Sequence, residues 1–176
     1  SSFPHAAAHD IAGEFKCSGQ VVTVSSGCTS GLLSIIQAAE TILRGEAEVA
    51  LAGGGDAPLT SFVISCLCSA GLHPTSYNDR PDAASRPFDA QRAGGVASEG
   101  AGMVVLESAE RARLRGRQAY ARIKGWGVAN AYSPLTVKSS FVSSITEALQ
   151  KAKLSPAMVH YICAHAPGIK FTDRAE

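Results

Sequence analysis

Short apolar runs and helical stripes alternate along the chain, with breakers between them. Gln20 to Ser25 reads as a strand. After Cys28 the residues Leu32, Ile35, Ile36, Ala39, Ile42 and Leu43 fall on one helical face, and Gly45 suits the left-handed stop. A buried strand over Val49 to Ala52 runs into Gly53, Gly54 and Gly55. That triple glycine lacks the Lys-Ser/Thr of a phosphate loop, and Asp56 would repel phosphate, so it predicts close backbone packing. Pro58 fits the first position of a further helix with the face Leu59, Phe62, Val63, Cys66, Leu67 and Ala70, closed by Gly71.

Residues 73–89, rich in Pro, Asn, Asp and Ser, predict a long irregular loop of the kind that often serves function. Met103 to Leu106 reads as a strand, Ser108 as the cap of a helix to Leu114, and Gly116 as its end. Tyr120 to Lys124 alternates as a strand. Phe141, Ile145, Ala148, Leu149 and Ala152 form another helical face, Ser155-Pro156 starts a short helical turn, and His160 to Ala164 reads as the last strand. Strand and helix in alternation predict an α/β protein rather than a bundle or a sandwich, and no internal repeat is visible.

Composition narrows the class. With 45% hydrophobic residues in 176, the chain can build a core and reads as soluble and globular. A formal net charge of +1, with scattered charges, supplies no basic field for nucleic acid. The cluster Arg111 to Arg117 reads as a solvated helix face, with carrier-protein docking as the alternative. Five cysteines form no metal or disulfide framework, and with no signal peptide or long apolar run the expected home is a reducing cytoplasm, away from membranes. Cys66 and Cys68 read as helix packing. His5 and His9 stand at i,i+4 without a third ligand, so no metal site is expected, and His73 and His160 read as ordinary surface or half-buried residues.

The candidate chemistry centres on Cys28, within Ser25-Ser26-Gly27-Cys28-Thr29-Ser30-Gly31. A sharp strand-to-helix turn would lift its sulfur out of the sheet, and the first N–H groups of the helix would favour thiolate. Ser26, Gly27, Ser30 and Gly31 leave room for an acyl group.

The segment from Val21 to Gly55 resembles the nucleophile region of the β-ketoacyl-acyl carrier protein synthases, the condensing enzymes of fatty-acid and polyketide assembly. Tyr77 to Asp89, Arg92 to Glu107, and His165 within YICAHA continue that resemblance in the family's order. It implies a thiolase-like α/β fold of two similar halves in five α/β/α/β/α layers, only partly present here. Residues 1–118 would be the later part of the N-terminal half, and 119–176 the start of the C-terminal half. On that map the chain lacks the opening strands of the first half and the closing strands of the second, so the resemblance implies the middle of a protein of roughly double the length, a piece that alone would leave sheet edges uncovered.

The implied reaction is decarboxylative condensation of a Cys-bound acyl chain with malonyl-acyl carrier protein. Cys28 would be the nucleophile, with its N–H in the oxyanion hole, and His165 the first of two family histidines, because it ends a strand eight residues before Asp173. The positions at which the family carries its second histidine and lysine would lie past Glu176, outside this sequence. Asp173 and Glu176 match acidic positions with a structural role. No cofactor is implied. The implied partners are an acyl carrier protein with a phosphopantetheine-linked substrate, and a second subunit, as a homodimer or as a heterodimer with a ketosynthase-like chain.

Three departures bear on function. The family's Gly-Thr-x-Thr-x-x-Gly-Asp is here Ala166-Pro167-Gly168-Ile169-Lys170-Phe171-Thr172-Asp173, so both arm-binding threonines are gone, and Lys170 and Phe171 are placed to reshape the entrance. Ala93-Gly94-Gly95 replaces Asp-Gly-Phe, whose phenylalanine gates the acyl pocket in the family, and Val128 to Ser140 is shorter than the pattern. These changes keep two alternatives open: a non-elongating partner of chain-length-factor type, and an acyltransferase using the same cysteine.

Overall fold

Two apolar runs pair to make the base of the first unit. In the computed structural model, which describes Phe3 and residues 5–176, the chain divides into two units. One takes in residues up to Asp56 together with Gly100–Arg122, and the other Ala57–Glu99 and Ile123–Glu176.

In the first unit, strands β1 (Val49–Asp56) and β2 (Gly100–Glu107) lie antiparallel, with Ala52 opposite Val104 and Gly53 opposite Met103. The helix α1 (Ala6–Glu14) precedes them in sequence, and α2 (Ser30–Leu43) packs on β1. The strand runs through the triple glycine to Asp56 rather than stopping at Ala52. The glycines allow the close approach expected of them: a Cβ on Gly53 would run into Gly102 O and Met103, and one on Gly54 would lie 3.2 Å from Gly31 Cα. Ser34 ties helix to strand, its Oγ lying 2.7 Å from Gly53 O and accepting from Gly53 N at 3.1 Å. Arg44 follows α2, and Gly45 (φ 74°) closes the helix with Gly45 N donating to Ile42 O and Glu46 N to Thr41 O. After β2, Ser108 accepts from Arg111 N at 3.1 Å to cap α4 (Ala109–Leu114), and Gly116 (φ 67°) ends it.

The second unit opens with α3 (Ser61–Ser69). Its cap is Thr60, which accepts from Val63 N, so the helix starts three residues after the expected Pro58. Pro58 instead lends its carbonyl to Thr60 N. Gly71 (φ 69°) closes the helix as expected. The loop from His73 to Asp89 is irregular apart from a 3-10 turn at Pro81–Ala83. Helix α5 (Val137–Ala152) follows a 3-10 turn at Pro134–Thr136, and another such turn occupies Pro156–Met158. Gly125 and Gly127 lie against α5 so closely that a Cβ on Gly125 would be 2.7 Å from Ala152 N. A short α6 (Lys170–Ala175), absent from the sequence-based expectation, ends the unit.

Three expected strands, Gln20 to Ser25, Tyr120 to Lys124 and His160 to Ala164, are not strands here. Among the described residues they find no ladder partner, and alternation alone cannot satisfy a strand's N–H and C=O groups. The helical faces are also less covered than their stripes suggest. Leu32 and Leu43 on α2, and Phe62 on α3, are exposed, whereas Ile35, Ile36 and Ala39 are half-buried. The buried hydrophobic residues among those described are Ala52, Ala84 and Ala112. No helix among the described residues is long and apolar enough to cross a membrane.

Candidate active site

Cys28 lies on the approach to α2, one residue before the cap Thr29 and two before the first helical residue, a slight shift from the expectation that it begins the helix. The turn that presents it is built from small polar residues. Gly27 takes φ 59°, Ser26 N donates to Ser30 Oγ at 2.8 Å, Thr29 Oγ1 donates to Ser26 O at 2.9 Å, and Ser30 Oγ lies 2.7 Å from Gly27 O. Four hydroxyl- or glycine-bearing positions therefore hold one loop, and the Cys28 thiol is exposed above it. The helix behind that loop is seated on Gly54 through Gly31 and on Gly53 through Ser34. Cys17, Cys66 and Cys163 are exposed as well.

His165 belongs to the second unit, where its main chain is held by Glu176, the residue that follows α6. Glu176 accepts from His165 N at 2.6 Å through one carboxylate oxygen and from Ala166 N at 2.9 Å through the other. Ala166 is left-handed, at φ 45°. Asp173, one helical turn earlier and buried, accepts from Gly168 N at 3.1 Å and Phe88 N at 2.9 Å, and its Oδ2 lies 3.0 Å from Arg92 Nε. Phe88 is left-handed too, at φ 61°. Arg92 completes the knot by donating to Asp89 O and Lys170 O. With their oxygens occupied by donors, Asp173 and Glu176 support the loop. The imidazole of His165 is exposed.

The departures noted in the sequence meet in this unit. A Cβ on Gly95 would lie 2.8 Å from Pro167 O, so the side chain missing at position 95 has no room beside this proline. Lys170 and Phe171 line a shallow cleft of about 350 Å³ with Leu72, Ala93, Gly94 and Ile169. The other histidines divide. His5 stacks on Phe3 and meets His9 edge-on at 5.7 Å, and no group of three metal-ligating side chains occurs among the described residues. His160 is exposed. His73, expected to be an ordinary turn residue, is bonded through Nδ1 to Gly95 O at 2.5 Å. No local motif announces that bond, because its partner is 22 residues away.

Residues 2–112 match the family described as Beta-ketoacyl synthase, N-terminal domain, and residues 120–176 match Beta-ketoacyl synthase, C-terminal domain. The chain belongs to the beta-ketoacyl synthase family, whose members include polyketide and fatty-acid synthases. It is 37% identical to the tetracenomycin polyketide synthase ketoacyl synthase alpha subunit of Streptomyces glaucescens, over 98% of this chain and 41% of that protein. It is 35% identical to 3-oxoacyl-[acyl-carrier-protein] synthase 2 of Rhizobium meliloti (strain 1021), over 90% of this chain and 39% of that protein. Among solved structures, a type II polyketide synthase acyl-carrier protein in complex with its ketosynthase bound to the hexaketide aligns with a TM-score of 0.90 and 34% identity. That alignment covers 96% of this chain and 42% of the other. The fold is that of the thiolase-like ketosynthases, present in part, and the chain spans about two fifths of the length of these relatives.

Proposed function

We propose that the protein containing this chain is a condensing β-ketoacyl synthase in which Cys28 carries the acyl chain and His165 assists decarboxylation. The observation that carries this reading is the exposed Cys28 thiol on a turn held by Gly27, Thr29 and Ser30 in front of α2. The Cys28 thiol gives up its proton as its sulfur attacks the acyl thioester carbon, an S-acyl bond forms as the carbon–sulfur bond to the carrier breaks, and the carrier leaves as a thiol that takes up that proton. Malonyl thioester then loses carbon dioxide, and the electron pair released passes into an enolate. A hydrogen bond from His165 to the enolate oxygen stabilises that charge. The enolate carbon attacks the acyl carbonyl on Cys28, carbon–carbon bond formation expels the thiolate, and the β-ketoacyl product stays on the carrier.

The substrate carrier is an acyl carrier protein with its phosphopantetheine arm, and the working assembly is a homodimer or a heterodimer with a ketosynthase-like subunit. The solved relative with a bound acyl-carrier protein supports the first of these. A second reading draws on Pro167 and Ile169, which offer no side-chain donor where the family's threonines stand: a non-elongating partner.

The experiment offers radiolabelled acyl-carrier protein to the intact protein and maps the label by mass. The proposal expects stoichiometric acylation on Cys28 and none in Cys28→Ala. Label on Cys66 or Cys163 would contradict the assignment, and no label at all would favour the non-elongating partner.

A further inference from the structure

Three pieces of chain cross in the second unit, at Leu72–His73, Gly94–Gly95 and Pro167–Gly168. Gly95 N donates to Leu72 O at 2.8 Å, and Gly94 N to Gly168 O at 3.0 Å. The approach leaves no room for side chains from the glycines. A Cβ on Gly94 would lie 2.5 Å from Leu72 O, one on Gly95 2.8 Å from Pro167 O, and one on Gly168 2.6 Å from Gly94 O. Gly94 and Gly168 also take φ 131° and 76°, which disfavour any other residue.

His73 adds a side-chain bond to this crossing, through Nδ1 to Gly95 O. A carbonyl only accepts, so Nδ1 must carry the proton. Nε2 is buried and without a partner among the described residues. Leaving a buried nitrogen unsatisfied is costly, so the ring is poorly explained as filler, and its Nδ1 bond is the compensating interaction.

We propose that His73 is a positioning residue. Its Nδ1–H clamps Gly95, holds Gly94–Gly95 against Pro167–Gly168, and so fixes the main chain two residues beyond His165. The catalytic consequence rests on the role given to His165 above, whereas the clamp itself does not. An Asn amide nitrogen stands as many bonds from the backbone as Nδ1 and can keep the bond, while a Gln amide nitrogen stands where Nε2 does and cannot.

The test compares the intact wild-type protein with His73→Ala, His73→Asn and His73→Gln. Amide exchange should quicken about tenfold or more in peptides covering 94–95 and 165–168 of His73→Ala and His73→Gln, with α2 unchanged, and return towards wild type in His73→Asn. Carbon dioxide release from malonyl-acyl carrier protein should fall about tenfold in the same two variants while acylation of Cys28 stays within about twofold. If His73→Ala does not fold, the contrast between Asn and Gln still decides. Unchanged exchange at 94–95 and 165–168, or Asn behaving like Gln, would overturn the clamp. A wild type that exchanges as expected but releases no carbon dioxide would instead count against the condensation reading and leave the clamp standing.

Discussion

At Ala166 and Phe88 the main chain turns left-handed without glycine, and each time the N–H of the turning residue is taken by a carboxylate at the end of the chain. A left-handed residue with a Cβ costs about 1–2 kcal/mol. Glu176 and Asp173 offset that cost at the two positions, which is why a loop carrying the candidate His165 can follow so tight a path. Replacing Ala166 with glycine removes the Cβ and keeps the N–H. Ala166→Gly should therefore stabilise the intact protein by about 0.5–1 kcal/mol, less whatever glycine adds to the freedom of the unfolded chain. The midpoint of urea unfolding measures it, and a lower midpoint would mean that the turn at Ala166 is not strained.

Helices were legible element by element because each carries its own periodicity and stop. Gly45, Gly71 and Gly116 sit at positive φ where the sequence places helix ends, and Ser108 caps α4. Strands were not, since a strand's existence depends on a partner elsewhere. Val49 to Ala52 and Met103 to Leu106 find each other and lengthen, whereas Gln20 to Ser25 finds none. Helix α6 escaped because its residues read as motif positions rather than as a periodic stripe. Electrostatics join α5 to the segment before it: Glu147 bonds Lys151 at 2.7 Å and accepts from Val128 N at 3.2 Å, and Lys151 lies over Trp126. The hydrogen bond from Lys151, then that from the Val128 backbone, lower the Glu147 carboxyl from its usual 4.5. A depressed folded-state value means the contribution is fully present above the unfolded value of 4.5 and is lost as pH falls through the lower folded value. Emission from Trp126, the chain's one tryptophan, should accordingly hold steady down to about pH 5 and change below it, and Glu147→Gln should remove that acid step. A step persisting in Glu147→Gln would assign it to another carboxyl.

On the scale of the whole molecule, much apolar surface stays open: Phe62 and Ile162 are 78% and 76% exposed, and the relatives run to more than twice this length. The two proposed site residues draw on different kinds of sequence signal. Cys28 sits in a turn whose determinants, Gly27 to Ser30, are its neighbours in sequence. His165 was recognisable from its motif, but what holds it, Glu176 and the crossing of Gly94–Gly95 with Pro167–Gly168, is assembled from distant segments. His73 is half-buried, one of the two placements its sequence allowed, but its bond to Gly95 O joins segments 22 residues apart and leaves no local signal. The proposed reaction makes acyl loading on Cys28 and decarboxylation aided by His165 separable steps. Carbon dioxide release from malonyl-acyl carrier protein, measured on the intact wild type and His165→Ala alongside Cys28 acylation, tests it most directly. The role proposed for His165 predicts that His165→Ala loses roughly a hundredfold in carbon dioxide release, about 3 kcal/mol of transition-state stabilisation, while acylation is nearly retained. Decarboxylation unchanged by the loss of His165 would contradict it.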